Sequence, residues 1–298
     1  MTIPTLTVIT TVYNGEAFFQ ETLDGVFAQT FTDFEWVVVN NGCTDGTQAM
    51  LDAIEDDRLR VVQNPDGKTF GEGIRVAYEN AKGQYIAVQD ADDVPLSDRF
   101  QAQVTALEAD EKLGLVSSAY EDIDANSKPL GNHFPPSDQQ GLIDALQTSS
   151  PLAHSTYMYR KSASDAIGGY PDEYAYGPDF GLVVRLIKAG WTIRVLDQVL
   201  LKLRLHAGQA SLADDLCVIR AHDAFYLYQE ASSLMKASAE ARKAGRKNVT
   251  KCRLCYGLAL MGEKNIRKGI GQIFKAVLSQ PLYSVAYLGY RLGSKPKQ

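Results

Sequence analysis

Two hydrophobic periods alternate without a break through the first ninety residues, and this alternation constrains the fold more than any other feature. "TLTVITTVY" is a run rich in β-branched residues and reads as a strand. "GEAFFQETLDGVFAQT" follows, with Phe18, Phe19, Leu23, Val26 and Phe27 at helical spacing. "FEWVVVN" is a second buried strand, and "TDGTQAMLDAIE" opens a helix with Thr44 or Asp45 available as its N-cap. "LRVVQN", "GEGIRVAYENAKG" and "QYIAVQ" continue as strand, helix and strand. Such alternation predicts right-handed βαβ units, hence an α/β fold with a mostly parallel sheet flanked by helices. Ligand crevices in these sheets open beyond the carboxyl ends of the strands. Polar clusters fall there: Thr11 to Asn14, Asn40 to Asp45 and Asp90 to Asp93.

Beyond Asp93, "LSDRFQAQVTALEADEKLG" reads as a helix and "LGLVSSAYEDID" as a strand. The polar, Pro-containing stretch from Asn126 to Gln140 is expected to be a loop over the crevice. A strand, a loop, a helix and another strand follow up to about residue 212. From Asp214 the pattern is helical, which divides the chain into an α/β domain of residues 1–212 and a helical region of residues 213–298. Charge divides in the same way. From Lys236 to Gln298 there are 14 Lys and Arg against 2 Glu, although the whole chain carries a net charge of −6. The acidic part is a poor binder of nucleic acid, and no nucleic acid is expected as a partner. By charge alone the basic region suits an anionic membrane surface or a nucleic-acid backbone, and the membrane surface is the partner expected. Within it Ile270, Ile273, Phe274, Val277 and Leu278 form an apolar stripe, which reads as a packing face before a membrane anchor. Absence of a basic start and cleavage site at the N-terminus, with four unevenly placed cysteines, points to a cytoplasmic protein with reduced thiols, peripheral on the inner face of the membrane if the basic region binds there. "CRLC" at Cys252 to Cys255 has zinc-like spacing but lacks a second ligand pair, so packed thiols are expected.

The string "QDADD" poses the chemical question, because carboxylates crowded at a strand end repel unless water or a cation relieves them. Asp92 and Asp93 suit a hard divalent cation, Mn²⁺ or Mg²⁺, which often takes one or two protein carboxylates plus phosphate oxygens and water. An EF-hand is excluded, since Val94 stands where a third oxygen ligand belongs. A dinucleotide site is disfavoured, since no G-x-G-x-x-G follows the first strand.

Five segments in order strengthen that reading: "VITTVYNGEAFFQETLDGVFAQTFTDFEWVVVNNGCTDGT", "AKGQYIAVQDADD", "RKSASDAIGGY", "YGPDFGLVVRLIKAG" and "LRLHAGQAS". Together they resemble the inverting, family 2 nucleotide-sugar glycosyltransferases of GT-A fold, over roughly residues 3 to 211. The resemblance implies that Thr11, Val12 and Tyr13 hold the base, with the Tyr13 ring packing on it. It implies that Asn41 takes the place of an Asp that accepts from a uracil ring nitrogen. Asp92 is then near the ribose, Asp93 ligates the metal on the diphosphate, and Asp90 shapes the turn. Arg75 faces the diphosphate, His206 sits near the metal or diphosphate, and Asp179 is the catalytic base. Displacement at the anomeric carbon would then follow, with UDP as the favoured carrier and a glycan or lipid-linked hydroxyl as acceptor. Two departures stand out: Asn40-Asn41 where the family has paired acids, and Pro178 where it has a Glu. They keep dTDP, CDP and GDP open as carriers, and a catalytically inactive glycan-binding module open as an alternative. A sugar nucleotidyltransferase would need a Gly-rich loop with Lys or Arg, and "TTVYNGEAFF" has neither.

Overall fold

In a computed structural model of the protein, residues 3–67, 69–209 and 217–293 are described. They divide into two compact units, one of residues 1–142 and 151–212 and the other of Ile143–Ser150 and Ala213–Gln298.

The first unit opens with β1 (Leu6–Val12), α1 (Phe19–Phe27), β2 (Phe34–Asn40), α2 (Thr47–Asp52), β3 (Leu59–Gln63), α3 (Phe70–Glu79) and β4 (Tyr85–Val88). The expected strands and helices are all present. Helix α2 starts later than expected, with Gly46 as its N-cap, while Asp45 instead accepts from the Thr47 N–H and hydroxyl. Helix α3 begins with a capping box between Thr69 and Glu72. There follow β5 (Val94–Pro95), α4 (Arg99–Glu108), β6 (Leu113–Asp124), β7 (Pro129–His133), α5 (Gln139–Ala145), β8 (Met158–Arg160), α6 (Lys161–Asp165), α7 (Pro178–Lys188) and β9 (Thr192–Leu205).

Among the described residues nine strands form one sheet in the order β3-β2-β1-β4-β8-β6-β9-β5, with β7 paired to β6. The β3-β2-β1-β4 half is parallel, as the alternation predicts. Strand β8 runs antiparallel to both β4 and β6, so the sheet is mixed. Val8, Ile9, Val37, Val38, Ile86 and Val88 are fully buried, as expected of strands covered on both faces. One polar chain crosses this core. Trp36 Nε1 donates to Thr10 Oγ1 at 2.9 Å, and Thr10 Oγ1 donates to the Gln89 carbonyl at 2.7 Å. It ties β2 and β1 to the point where β4 runs into the acidic string.

The stretch expected to be a loop over the crevice contains β7, which forms a hairpin with β6. Every residue of β7 is exposed, so no hydrophobic alternation marks it as a strand.

The second unit contains α8 (Cys217–Ala231), α9 (Ala239–Gly262), α10 (Ile266–Ser279) and α11 (Pro281–Gly293). Helices α9 and α10 approach closely at two glycines. A Cβ on Gly257 would lie 2.9 Å from the Gly269 carbonyl oxygen, and a Cβ on Gly269 would lie 2.6 Å from that of Gly257. The apolar stripe expected on α10 resolves into two rows. Ala276 is buried and Ile273 and Val277 are half-buried, whereas Ile266, Ile270, Phe274 and Leu278 are exposed. Among the described residues no helix is long and apolar enough to cross a membrane. Cys252 and Cys255 stand on α9; Cys255 Sγ lies 3.2 Å from Tyr287 Oη, and burial pushes the Cys252 thiol up to about 11.

Candidate functional site

Strands β1, β2 and β4 end at one edge of the sheet in matched register, with Val12 opposite Asn40 and Leu6 opposite both Phe34 and Tyr85. Their polar extensions are therefore brought together, as the βαβ pattern requires.

Each backbone carbonyl of the acidic string has a partner. Gln89 Nε2 donates to the carbonyls of Asp90 and Asp93 at 3.0 and 2.9 Å. Thr22 Oγ1 donates to those of Ala91 and Asp93, and Arg204 Nε to that of Asp92. The loop is thus fixed largely through its backbone carbonyls.

Those carboxylates are not equivalent. Asp93 is 4% exposed, and its Oδ1 accepts the Arg204 backbone N–H at 2.8 Å. Burial, then the charges of Asp92 and Asp90, push its pKa well above the usual carboxylate range. The side chains of Asp90 and Asp92 are 30% and 32% exposed. Desolvation also raises Asp90, opposed by His154 and reinforced by the charges of Asp92 and Asp179. Asp92 Oδ2 lies 2.9 Å from His206 Nε2, and the His206 ring packs against Phe18 with centroids 4.6 Å apart.

Two buried arginines offset the crowding, and the sequence reading passed over both. Arg99 is fully buried, with Nη1 donating to Gln89 Oε1 at 2.8 Å and Nη2 to the Val88 carbonyl at 2.7 Å. Burial pulls it down to about 9, against the attraction of Asp93 and Asp90, so it stays charged at neutral pH. Arg204 is also fully buried; besides its Asp92 contact it donates to Ser127 Oγ and pairs with Glu21 at 3.1 Å. In "LKLRLH" Arg204 falls on the polar phase with Lys202 and His206, so the alternation itself reads it as solvent-facing and gives no signal of its burial.

Asp179 lies in the first turn of α7, after Gly177 as N-cap and Pro178. It makes no capping hydrogen bond, and among the described residues its carboxylate takes no hydrogen bond or ion pair. Its charge helps to raise Asp90, Tyr157 and Tyr170, so it belongs to the same electrostatic cluster as the acidic string. His154 bridges that cluster, with Nε2 3.0 Å from Tyr170 Oη and Nδ1 3.9 Å from Asp90 Oδ1.

Around β1 the expected base-binding residues separate. Tyr13 is 65% exposed, a flat ring at the end of the strand. Val12 is buried and contributes its carbonyl, which accepts the Asn41 N–H at 2.9 Å. Thr11 Oγ1 is enclosed without a hydrogen-bond partner, and it converges with Asn41 on Gly73, where a Cβ would lie 2.1 Å from Thr11 Oγ1. Asn41 is buried, accepting from Asn64 Nδ2 at 2.7 Å and donating to the Thr69 carbonyl at 3.2 Å. Asn40 likewise accepts from the Cys43 N–H and donates to Gln48 Oε1. Both amides thus use a donor that no carboxylate has. Arg75, on α3, makes no hydrogen bond or ion pair among the described residues.

With this geometry in place, comparison with known proteins is decisive for the family. Residues 7–168 match the family model described as Glycosyl transferase family 2. The chain is a family 2 glycosyltransferase. The putative glycosyltransferase EpsE of Bacillus subtilis (strain 168) is 26% identical to it over 206 residues, 67% of this chain and 73% of EpsE. An uncharacterized glycosyltransferase of Rickettsia prowazekii is 29% identical over 215 residues, 70% of this chain and 66% of that protein. In fold, the chain is similar to S. aureus TarS 1-349 solved in complex with UDP-GlcNAc, with a TM-score of 0.70 at 16% identity, covering 98% of this chain and 93% of TarS 1-349. It is also similar to the mannosyltransferase PcManGT from Pyrobaculum calidifontis in complex with GDP-Man and Mn²⁺, with a TM-score of 0.59 at 18% identity, covering 98% and 80% of the two chains. The mixed, helix-flanked sheet of the glycosyltransferase is accordingly a GT-A sheet.

Among the glycosyltransferase's described residues no cluster of three or more His, Cys, Asp or Glu side chains forms a complete metal cage. The half-exposed pair of Asp92 and His206 nonetheless fits a cation that takes few protein ligands and completes its shell with phosphate oxygens and water. Asp93, turned into the protein and engaged by Arg204, does not present itself in the same way.

Proposed function

We propose that this family 2 glycosyltransferase moves a sugar from a nucleotide diphosphate sugar, with UDP as carrier, to an acceptor hydroxyl with inversion at the anomeric carbon. One observation carries the reading. Asp179 offers a carboxylate free of hydrogen bonds and ion pairs, within electrostatic reach of the Asp90 to Asp93 string at the sheet edge. A carboxylate so placed takes the acceptor hydroxyl's proton as the new bond forms, and one base opposite the leaving group gives inversion. Tyr13 stacks on the base, Thr11 and Asn41 border it, and Arg75 supplies positive charge to the diphosphate. The complexes of TarS with UDP-GlcNAc and of PcManGT with GDP-Man and Mn²⁺ support a nucleotide-sugar donor here.

Asp92 and His206 would hold Mn²⁺ or Mg²⁺. When bound, such a cation neutralises charge on the leaving diphosphate. Asp93 keeps a different task, fixing β9 so that His206 is delivered to Asp92. The acceptor is a glycan or lipid-linked hydroxyl in surface polysaccharide or glycoconjugate synthesis. The helical region of residues 213–298 rests its basic residues on an anionic membrane surface from the cytoplasmic side.

The test is release of UDP from UDP-sugars in the presence of Mn²⁺. Slow release that disappears in Asp179→Asn and Asp92→Asn, with donor binding retained in Asp179→Asn, supports the assignment. Binding of donor without turnover under any condition overturns it and leaves a glycan-binding module.

A further inference from the structure

The second unit holds a cavity of about 420 Å³ lined by Lys243, Arg246, Lys247 and Arg253 of α9, together with Ser279 and Gln280 where α10 ends. The four cations recur at helical spacing, so they share one face of α9. Among the described residues no carboxylate lies within ion-pair distance of any of them. Lys243 and Lys247 are four residues apart and repel each other, as do Lys243 and Arg246 three apart. The single acid of α9, Glu240, stands one turn before Lys243 and makes no ion pair with these cations, so the face stays strongly basic. Arg253 is partly held, its guanidinium 4.5 Å from the Phe225 ring centroid and Nη2 3.4 Å from Gln229 Oε1, and its buried Nε lacks a hydrogen-bond partner.

The chain on either side of Ser279 and Gln280 adds a second feature. Leu278 and Leu282 flank Ser279 and Gln280 in sequence and are 67% and 89% exposed. Leu278 continues the exposed row of Ile266, Ile270 and Phe274 along α10, and Leu282 stands at the start of α11. Uncompensated cations in a concavity beside exposed apolar side chains match a ligand that is anionic at one end and apolar at the other. Arginine forks and lysine point charges both suit phosphate oxygens.

We infer that this cavity binds the phosphate headgroup of a membrane lipid, with the acyl or isoprenoid chain running along the exposed row of α10. The inference rests on the membrane-surface reading above and narrows it from diffuse attraction to a defined headgroup site.

The full-length protein is sedimented with phosphatidylcholine vesicles with and without phosphatidic acid, and titrated in solution with dihexanoyl phosphatidic acid and with inorganic pyrophosphate. Arg246→Gln/Lys247→Gln removes two charges from the cavity, and Arg267→Gln/Lys268→Gln removes two exposed charges from α10 outside it. Binding to phosphatidic acid vesicles is expected, weakened at least about tenfold more by the cavity variant than by the control. Equal weakening overturns the headgroup site and leaves the membrane-surface reading standing. Binding of the soluble phosphates, lost in the cavity variant, without vesicle binding overturns the membrane source and makes a free phosphate compound the ligand. Absence of binding in every arm overturns the cavity as a phosphate site altogether.

Discussion

Arg204 grips the end of the acidic string twice: its backbone N–H donates to Asp93 Oδ1 at 2.8 Å, and its Nε donates to the Asp92 carbonyl at 2.9 Å. A strand more than a hundred residues later in the chain is thereby locked to the loop after β4. The guanidinium is fully buried, so its deletion removes the donor that now serves the carbonyls of Asp92 and Asp124. Arg204→Met should cost about 3 kcal/mol or more. For a unit of this size that lowers the melting temperature on the order of 10 °C, read by near-ultraviolet circular dichroism. Arg204→Lys keeps the charge but not the fork, and should fall between the two.

The unequal exposure of the three carboxylates separates their variants. Asp92→Asn and His206→Ala should melt close to the parent while losing Mn²⁺-dependent stabilisation by UDP, followed as a thermal shift. Asp93→Asn keeps an oxygen for the Arg204 N–H and removes one buried charge from beside Asp90 and Asp92. It should be at least as stable as the parent and bind UDP with Mn²⁺ within about threefold of it. Loss of metal-dependent binding in Asp93→Asn alone would return the ligand role to Asp93.

Asn41 shows why an acid is absent where the family's resemblance led one to expect it. Its Nδ2 donates to the Thr69 carbonyl, and its Oδ1 accepts from Asn64. In Asn41→Asp a carboxylate oxygen would face the Thr69 carbonyl at the N-cap of α3. The change should destabilise the fold by about 1–3 kcal/mol, measured by urea denaturation, rather than restore a tighter uridine site.

Legibility in the sequence followed the physics of each element. Strands β1, β2 and β4 announced themselves because both their faces are buried, so β-branched residues fill them. Strand β7 stayed hidden because both its faces are wet, and β5 because it has two residues. The polar residues at the strand ends were legible from topology alone. Their division of labour was not, since Asp92 and Asp93 differ by which side of the loop meets Arg204. Arg99 and Arg204 were missed because charged side chains are nearly always read as surface. Segment Ile143–Ser150 clusters with the second unit through contacts such as Gln147 Nε2 with the Ala231 carbonyl at 3.0 Å, which no linear pattern encodes.

Asp179 gives the sharpest catalytic prediction, because its environment separates chemistry from folding. Its carboxylate caps nothing and pairs with nothing among the described residues, so Asp179→Asn removes the proposed base without removing a structural bond. The amide is nearly isosteric and keeps the turn after Gly177 and Pro178 intact. Turnover, measured as UDP release from a UDP-sugar, should fall about 10²–10⁴-fold, with the melting temperature and the affinity for UDP unchanged. The loss should appear in kcat rather than KM, since a base that acts on the acceptor proton contributes in the transition state and little to donor binding. A fall in UDP affinity that matches the fall in turnover would instead make Asp179 a donor-positioning residue and move the base elsewhere in the cluster.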